Sequence, residues 1–394
     1  MQRLRYLTAG ESHGPRLTAI LEGMAAGLPI SASQIDRELA RRQTSFGAGG
    51  RMAIERDAVR ITAGVMSGAT TGGPIALQVP NVDYRSWAER DVPPMTIPRP
   101  GHADLTGAIK YGYRDLRLAL ERASARETTM RVAVGAVCQA YLAHFGIEVI
   151  GYVRSIGDVE AALPVELSYA ERYRLAEESD VRCPDAEAAG RMRSLIRQAM
   201  QDKDTLGGVF EIVILNAPPG LGSHVHFDRR LDAQLGAAML SIQAVKGVEI
   251  GPAFANASLR GTQVHDEIAV DAAGNLVRST NRAGGLEGGV TTGEPIVLRA
   301  AMKPISTTLT PLMSIDLATG RPAPTRYERS DFCAVPRAVV IGQAMAAWVL
   351  ADALMEKLGG DSIAEQAPRF AALRSGRLGD LPMDNEPWRF GYEA

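Results

Sequence analysis

The sequence predicts an α+β fold, with helices and mainly antiparallel sheets in mixed layers. Three observations carry this expectation. Short apolar runs such as Ile20-Leu21 and Ile212-Val213-Ile214-Leu215 look like buried strands, set off by turns drawn from 40 glycines. Longer segments carry the helical period. Several motifs of the first half recur in the same order in the second half.

Helical spacing covers residues 34–42, 124–144, 169–178, 188–201 and 229–241. The most apolar stretch, residues 338–355, contains Gln343 and Asp352 and is barely long enough to span a bilayer; it reads as a buried helix. Residues 159–203, charged and alanine-rich, look like an inserted pair of surface helices. The tail from 376 holds Pro382, Asn385 and Pro387 and is expected to be irregular. The repeat has three parts. Gly27-Leu28-Pro29 before Asp36-Arg37-Glu38-Leu39 matches Gly220-Leu221-Gly222 before Asp228-Arg229-Arg230-Leu231. Thr70-Thr71-Gly72-Gly73-Pro74-Ile75 matches Thr291-Thr292-Gly293-Glu294-Pro295-Ile296. Glu121-Arg122 and Glu328-Arg329 each precede a long apolar helix. The expectation is one domain over 1–394, built from related halves at about 1–150 and 204–358, with a site at their junction.

A formal net charge of −2 and 46% hydrophobic residues describe an ordinary globular chain and give no reason to expect a nucleic-acid partner. Of 43 basic residues only five are lysine. Genome composition explains that bias, and so does a need for planar guanidinium, which binds carboxylate and phosphate bidentately. Cys138, Cys183 and Cys333 are far apart, with neither zinc-ligand spacing nor an even number for disulfides, so a reducing compartment fits. The N-terminus has no apolar signal core, and no membrane segment is expected.

Six segments could carry chemistry. His13, in Gly10-Glu11-Ser12-His13-Gly14, suits proton transfer near neutral pH. His102, in Arg99-Pro100-Gly101-His102-Ala103-Asp104, sits in a loop that pairs it with Arg99, a pattern for an anion whose leaving group needs a proton. Structural roles are the competing reading for both. Ser124 and Glu127 have capping-box spacing, while Arg122 and Arg126 beside them make an anion cradle at a helix N-terminus. Arg41-Arg42 and Arg51 flank a glycine-rich loop and read either as solvated charge or as anion ligands. The segments 281–289 and 303–307, and Arg329-Ser330-Asp331, combine glycine turns with groups that cradle phosphate or flavin. His144, His224, His226 and His265 look like surface residues, and no metal site is expected. A GxxxxGK[ST] loop and a convincing GxGxxG after a strand are both missing, which counts against ATP and dinucleotide cofactors in the Rossmann manner.

Together these segments resemble the chorismate synthase family along almost the whole chain. Gly10-Glu11-Ser12-His13-Gly14, Arg122-Ala123-Ser124-Ala125-Arg126-Glu127 and Arg329-Ser330-Asp331 look like its three signatures. Asp204-Thr205-Leu206-Gly207-Gly208, Gln243-Ala244-Val245-Lys246-Gly247 and Arg278-Ser279-Thr280-Asn281-Arg282 also match. The resemblance implies a layered β–α–β sandwich, a cytoplasmic homotetramer, and a 1,4-elimination of phosphate from 5-enolpyruvylshikimate 3-phosphate with reduced FMN. NADPH is the implied reductant. It implies that Arg122, Ala123, Ser124, Gln243, Ala244, Gly288, Lys303, Pro304, Ile305, Ser306, Thr307 and Arg329 bind the flavin. It also implies that His13, His102 and Asp331 serve proton handling, and that Arg42 binds substrate or NADPH. By charge, Arg42, Arg51, Arg99, Arg126 and Arg329 suit the two carboxylates and one phosphate of that substrate. The chain departs from the family pattern at Ala48, where arginine is usual, and at Ser45, where glycine is usual. Two other readings are a flavin-independent histidine phosphatase and a non-catalytic flavin- or anion-binding protein.

Overall fold

The computed structural model describes residues 3–48, 56–328 and 330–391. Two sheets form its frame. The first comprises β1 (Arg5–Ala9), β2 (Arg16–Glu22), β3 (Arg60–Ala63) and β4 (Ile75–Pro80), ordered β1-β2-β4-β3. The second comprises β5 (Glu148–Ile156), β6 (Val159–Glu160), β7 (Gly208–Leu215), β8 (Val245–Ile250) and β9 (Ile296–Met302), ordered β8-β9-β7-β5-β6. Neighbours in both sheets pair antiparallel, as the sequence predicts.

Strand alternation sets which face is core. On β2, Leu17, Ala19 and Leu21 are buried and lie opposite Val79, Leu77 and Ile75 of β4. Leu7 and Ile20, paired across β1 and β2, are exposed on the other face. Central β7 is buried on both faces, hence its continuous run Ile212-Val213-Ile214-Leu215. Phe210, Ile212 and Ile214 join the main core, while Val213 packs with Ile150, Tyr152 and Val297 on the opposite face.

Eight helices matter for the site and its support. They are α1 (Ala32–Gln43), α2 (Asp104–Tyr111), α3 (Arg117–Ala123), α4 (Thr128–His144), α5 (Tyr169–Glu177), α6 (Ala186–Gln201), α7 (Leu231–Leu240) and α8 (Val335–Leu358). α4 packs on β2 and β4, α8 packs on β5 and β7, and α4 and α8 pack on each other. That contact needs Gly135, where a Cβ would collide with Ala344. α8 is the predicted buried helix. It is apolar and long enough to cross a membrane, yet it is buried along almost its whole length. Its Asp352 accepts the backbone N–H groups of Arg3 and Leu4, which ties the N-terminus to the core.

One expectation changes and another gains detail. Residues 159–203 form a helix pair at the surface, packed down along one side. Ala188, Met192 and Ile196 of α6 belong to the main core, and Ala176 of α5 covers the outer face of the second sheet. The predicted capping box at Ser124 is not formed. Ser124 accepts the Arg126 N–H, while the Glu127 carboxylate accepts from Thr8 and Arg131. A 3-10 turn, Ala125–Glu127, therefore precedes α4. The tail is irregular after a short turn at Leu378–Asp380.

A set of hydrogen bonds occurs twice. The Thr70 hydroxyl donates to Ala25 O and accepts Leu28 N–H, and the Thr291 hydroxyl donates to Pro218 O and accepts Leu221 N–H. Backbone bonds from Gly27 to Thr70 and from Gly220 to Thr291 match in the same way.

Candidate active site

The turn after β1 carries Ser12 and His13, and α3 holds this turn in place. Ser12 N–H bonds to Glu121 O at 3.1 Å. The Glu121 carboxylate takes both the His13 backbone N–H and the ring Nδ1, each at 2.7 Å. The His13 ring lies 4.4 Å from the Trp87 ring, centroid to centroid. Burial pushes the Glu121 carboxyl up, but the His13 hydrogen bonds outweigh it and hold the group below its ordinary value. An ionised Glu121 fixes a proton on Nδ1 and leaves Nε2 as the second, mobile position.

His102 is braced in the same manner. Its Nδ1 lies 2.6 Å from Asp104, the first residue of α2, whose side chain is wholly buried. Arg99 closes the loop on the same carboxylate through Nε at 2.8 Å and Nη2 at 3.0 Å. Burial raises the Asp104 pKa, yet the bonds from His102 and Arg99 prevail and hold it far below the carboxylate range. Gly101 turns this loop with φ +75°. Two contacts join the loop to the second half: Arg99 Nη1 to Thr307 Oγ1 at 3.0 Å, and Ser306 Oγ to Gly101 O at 3.1 Å.

Arginines fill the floor. Arg126 grips both Asp57 oxygens at 2.8 Å and bonds to Asn81, whose amide in turn holds the His13 turn at Gly14 O. Arg42 reaches in from α1 to Thr128 Oγ1 and Ala125 O, both at 3.0 Å. Its Nη1 has no hydrogen bond among the described residues and lies 3.7 Å from Asp57. Arg337, in the first turn of α8, pairs with Asp331 at 2.8 Å. On the adjoining wall, Ala244 adopts φ +67°, rare for alanine, and its carbonyl accepts Lys303 N–H. Burial and nearby Lys246 push the Lys303 ammonium down.

These elements enclose one cavity of about 890 Å³. His13, His102 and Asp331 line it, as do Arg42, Arg99 and Arg126. So do Ala123, Ser124, Gln243, Ala244, Lys303, Ile305, Ser306 and Thr307. The approaches to α4 and α8 both open onto it. Three expected flavin contacts are not on its wall. Pro304 is set back between Lys303 and Ile305; Arg122, at the end of α3, turns outward to Thr8; and Gly288 turns a hairpin beside His224. Arg51 and Arg329 lie outside the described residues. Sequence reasoning did not select Glu121, Asp104, Trp87 or Arg337. Asp104 had a signal, since it follows His102 by two residues in a glycine loop.

Comparison with known proteins decides the family. A family model described as chorismate synthase matches residues 4–355. This chain belongs to the chorismate synthase family. A chorismate synthase of Desulforamulus reducens is 52% identical over 92% of this chain and 96% of its own length. One of Symbiobacterium thermophilum is 53% identical over 93% and 97%. A solved structure titled as a crystal structure of chorismate synthase superposes with a TM-score of 0.78 at 45% identity, covering 94% of this chain and 97% of that one. Family membership makes the chain a lyase and leaves the phosphatase and the non-catalytic readings without support.

Proposed function

We propose that this chain eliminates phosphate from 5-enolpyruvylshikimate 3-phosphate to give chorismate, with reduced FMN and no net redox change. The observation that supports this best is one cavity shared by two carboxylate-braced histidines and by buried guanidiniums with unused donors. A volume of about 890 Å³ lies within the usual range for ligand sites. Arg42 Nη1, Arg337 Nε and Nη2, and Gln243 Oε1 have no hydrogen-bond partner among the described residues, so donors and an acceptor stand ready for a polar, anionic occupant. These groups fit a flavin phosphate and a multi-anionic substrate.

Reduced FMN, when bound, supplies electron density to the allylic system as phosphate leaves. Ala123, Ser124, Gln243, Ala244 and the Lys303–Thr307 loop would hold it. The remaining steps fall to side chains of the chain. His102, with Nδ1 committed to Asp104, donates a proton from Nε2 toward the departing phosphate. His13, with Nδ1 committed to Glu121, carries its mobile proton at Nε2. Asp331, oriented by Arg337, is a carboxylate on the wall placed to take up a proton. Arg42 and Arg126 offset the negative charge of the substrate.

The same proposal includes a cytoplasmic homotetramer; the exposed pair Leu7 and Ile20 supports self-association through the first sheet. NADPH as the reductant is carried by the family resemblance. The layered sandwich is supported by the packing of α4 and α8 on opposite sheets, and the duplication by the matched bonds of Thr70 and Thr291. The test is an anaerobic titration. FMN should bind the protein, and substrate added next should change the flavin absorbance, because both occupy one cavity. Failure of FMN to bind would defeat the assignment.

A further inference from the structure

We propose that Arg337 is an oxyanion-binding residue of this cavity and takes the place of the arginine that the loop at Ala48 lacks. The inference rests on the reaction assigned above.

Three observations carry it. First, the Arg337 side chain is only 8% exposed and lines the cavity, yet it uses a single nitrogen, Nη1, to hold Asp331. Its Nε and Nη2 have no hydrogen-bond partner among the described residues. A guanidinium offers five N–H donors in a fixed fork, and burying them unused is costly. Second, the other cavity arginines differ in this respect. Arg126 is spent on Asp57 and Asn81, and Arg99 on Asp104 and Thr307. Among the buried cavity arginines of the described residues, Arg42 shares the pattern, with Nη1 unbonded. Burial, and then the charge of Arg337, push the Arg42 pKa down to about 9. The two guanidiniums line the same cavity and repel each other, and an anion held by both removes that repulsion. Third, the loop with Ala48 is tied to the chain entering α8. The Gly47 carbonyl accepts Phe332 N–H at 2.9 Å, and a Cβ on Gly47 would lie 3.4 Å from that of Cys333. The loop that carries Ala48 is thus anchored to the same segment that leads into Arg337, and in this proposal the guanidinium at 337 supplies the charge the loop lacks.

The oxyanion is a carboxylate or phosphate, and it comes from the substrate or from the flavin. The test measures binding to flavin-free protein by calorimetry with three probes: inorganic phosphate, the enolpyruvyl substrate and oxidised FMN. Arg337→Ala should weaken phosphate and at least one of the other two by about 10- to 100-fold, the scale of one lost charged hydrogen bond. The probe that loses affinity identifies the source. Arg337→Lys should retain part of the affinity, and Ala48→Arg added to Arg337→Ala should restore most of it. Thermal melts check folding; if Arg337→Ala does not fold, the lysine variant and the double variant decide. Unchanged affinity for all three probes with a lower kcat would overturn the proposal and reduce Arg337 to a brace for Asp331. A double variant as weak as Arg337→Ala would overturn the replacement of the missing arginine. Phosphate affinity lost in the variant, without substrate conversion by the parent chain, would instead sink the assigned reaction.

Discussion

Replacing Glu121 with glutamine should slow the enzyme through His13 without touching a ligand. Glu121 Oε1 and Oε2 accept two hydrogen bonds from His13, one from the ring and one from the backbone, both at 2.7 Å. The side chains are only 13% and 16% exposed, so solvent screens the pair little. Glutamine presents one oxygen and one NH₂ where two acceptors are needed. The ring loses its charged partner, and with it the fixed Nδ1–H tautomer. A charge-assisted hydrogen bond is worth about 1.5–3 kcal/mol. If that stabilisation is felt in the transition state, kcat should fall about 10- to 150-fold. The assay is steady-state chorismate formation under anaerobic conditions with saturating reduced FMN. His13→Ala should also be made, and then the double variant. Because Glu121 acts only through His13, the double variant should be no slower than His13→Ala alone. Losses that multiply, or a Glu121→Gln variant at parental rate, would refute the brace.

Other consequences follow from the same structure. Arg126→Ala should cost about 3–5 kcal/mol of stability, since it leaves the buried Asp57 carboxylate, among the described residues, to Arg42 at 3.7 Å and the Thr129 hydroxyl at 3.5 Å; denaturant unfolding showing under 1 kcal/mol would contradict the pairing. Thr70→Ala and Thr291→Ala should each cost about 1–3 kcal/mol, and nearly equally, because each removes the same two bonds; clearly unequal costs would argue against equivalent halves. Asp104 has a folded pKa below its unfolded one, so its ionised form contributes stability above about pH 4 that is lost as pH falls through the lower folded value. The stability gap between the parent and Asp104→Asn should therefore shrink on acidification from pH 5 to pH 2, and a constant gap would show that Asp104 is not held ionised.

The sequence was most informative where the chemistry is local. The apolar composition and length of residues 338–355 marked α8, and the apolar run at 212–215 marked a buried strand. Glycine-flanked histidines and clustered arginines pointed to the right segments, since turns must leave room for a ligand. Legibility failed wherever the partner is distant. Glu121 is more than a hundred residues from His13, and no local spacing announces which carboxylate will meet which ring. The same holds for Glu127, whose capping-box spacing was sound but whose carboxylate is drawn off by Thr8 and Arg131. Residues 159–203 form surface helices, as their charge and alanine suggest; Met192 and Ile196 are few, yet they suffice to bury one side of α6. Arg337 was hidden in an apolar helix, where a lone arginine carries no pattern.

The most direct measurement is a single turnover under anaerobic conditions with enzyme in excess over substrate, following phosphate and chorismate together. With reduced FMN, the account predicts equal amounts of both at the same rate, and the flavin still reduced at the end. With oxidised FMN or none, it predicts neither. Phosphate released without flavin, or flavin oxidised in step with product, would contradict it.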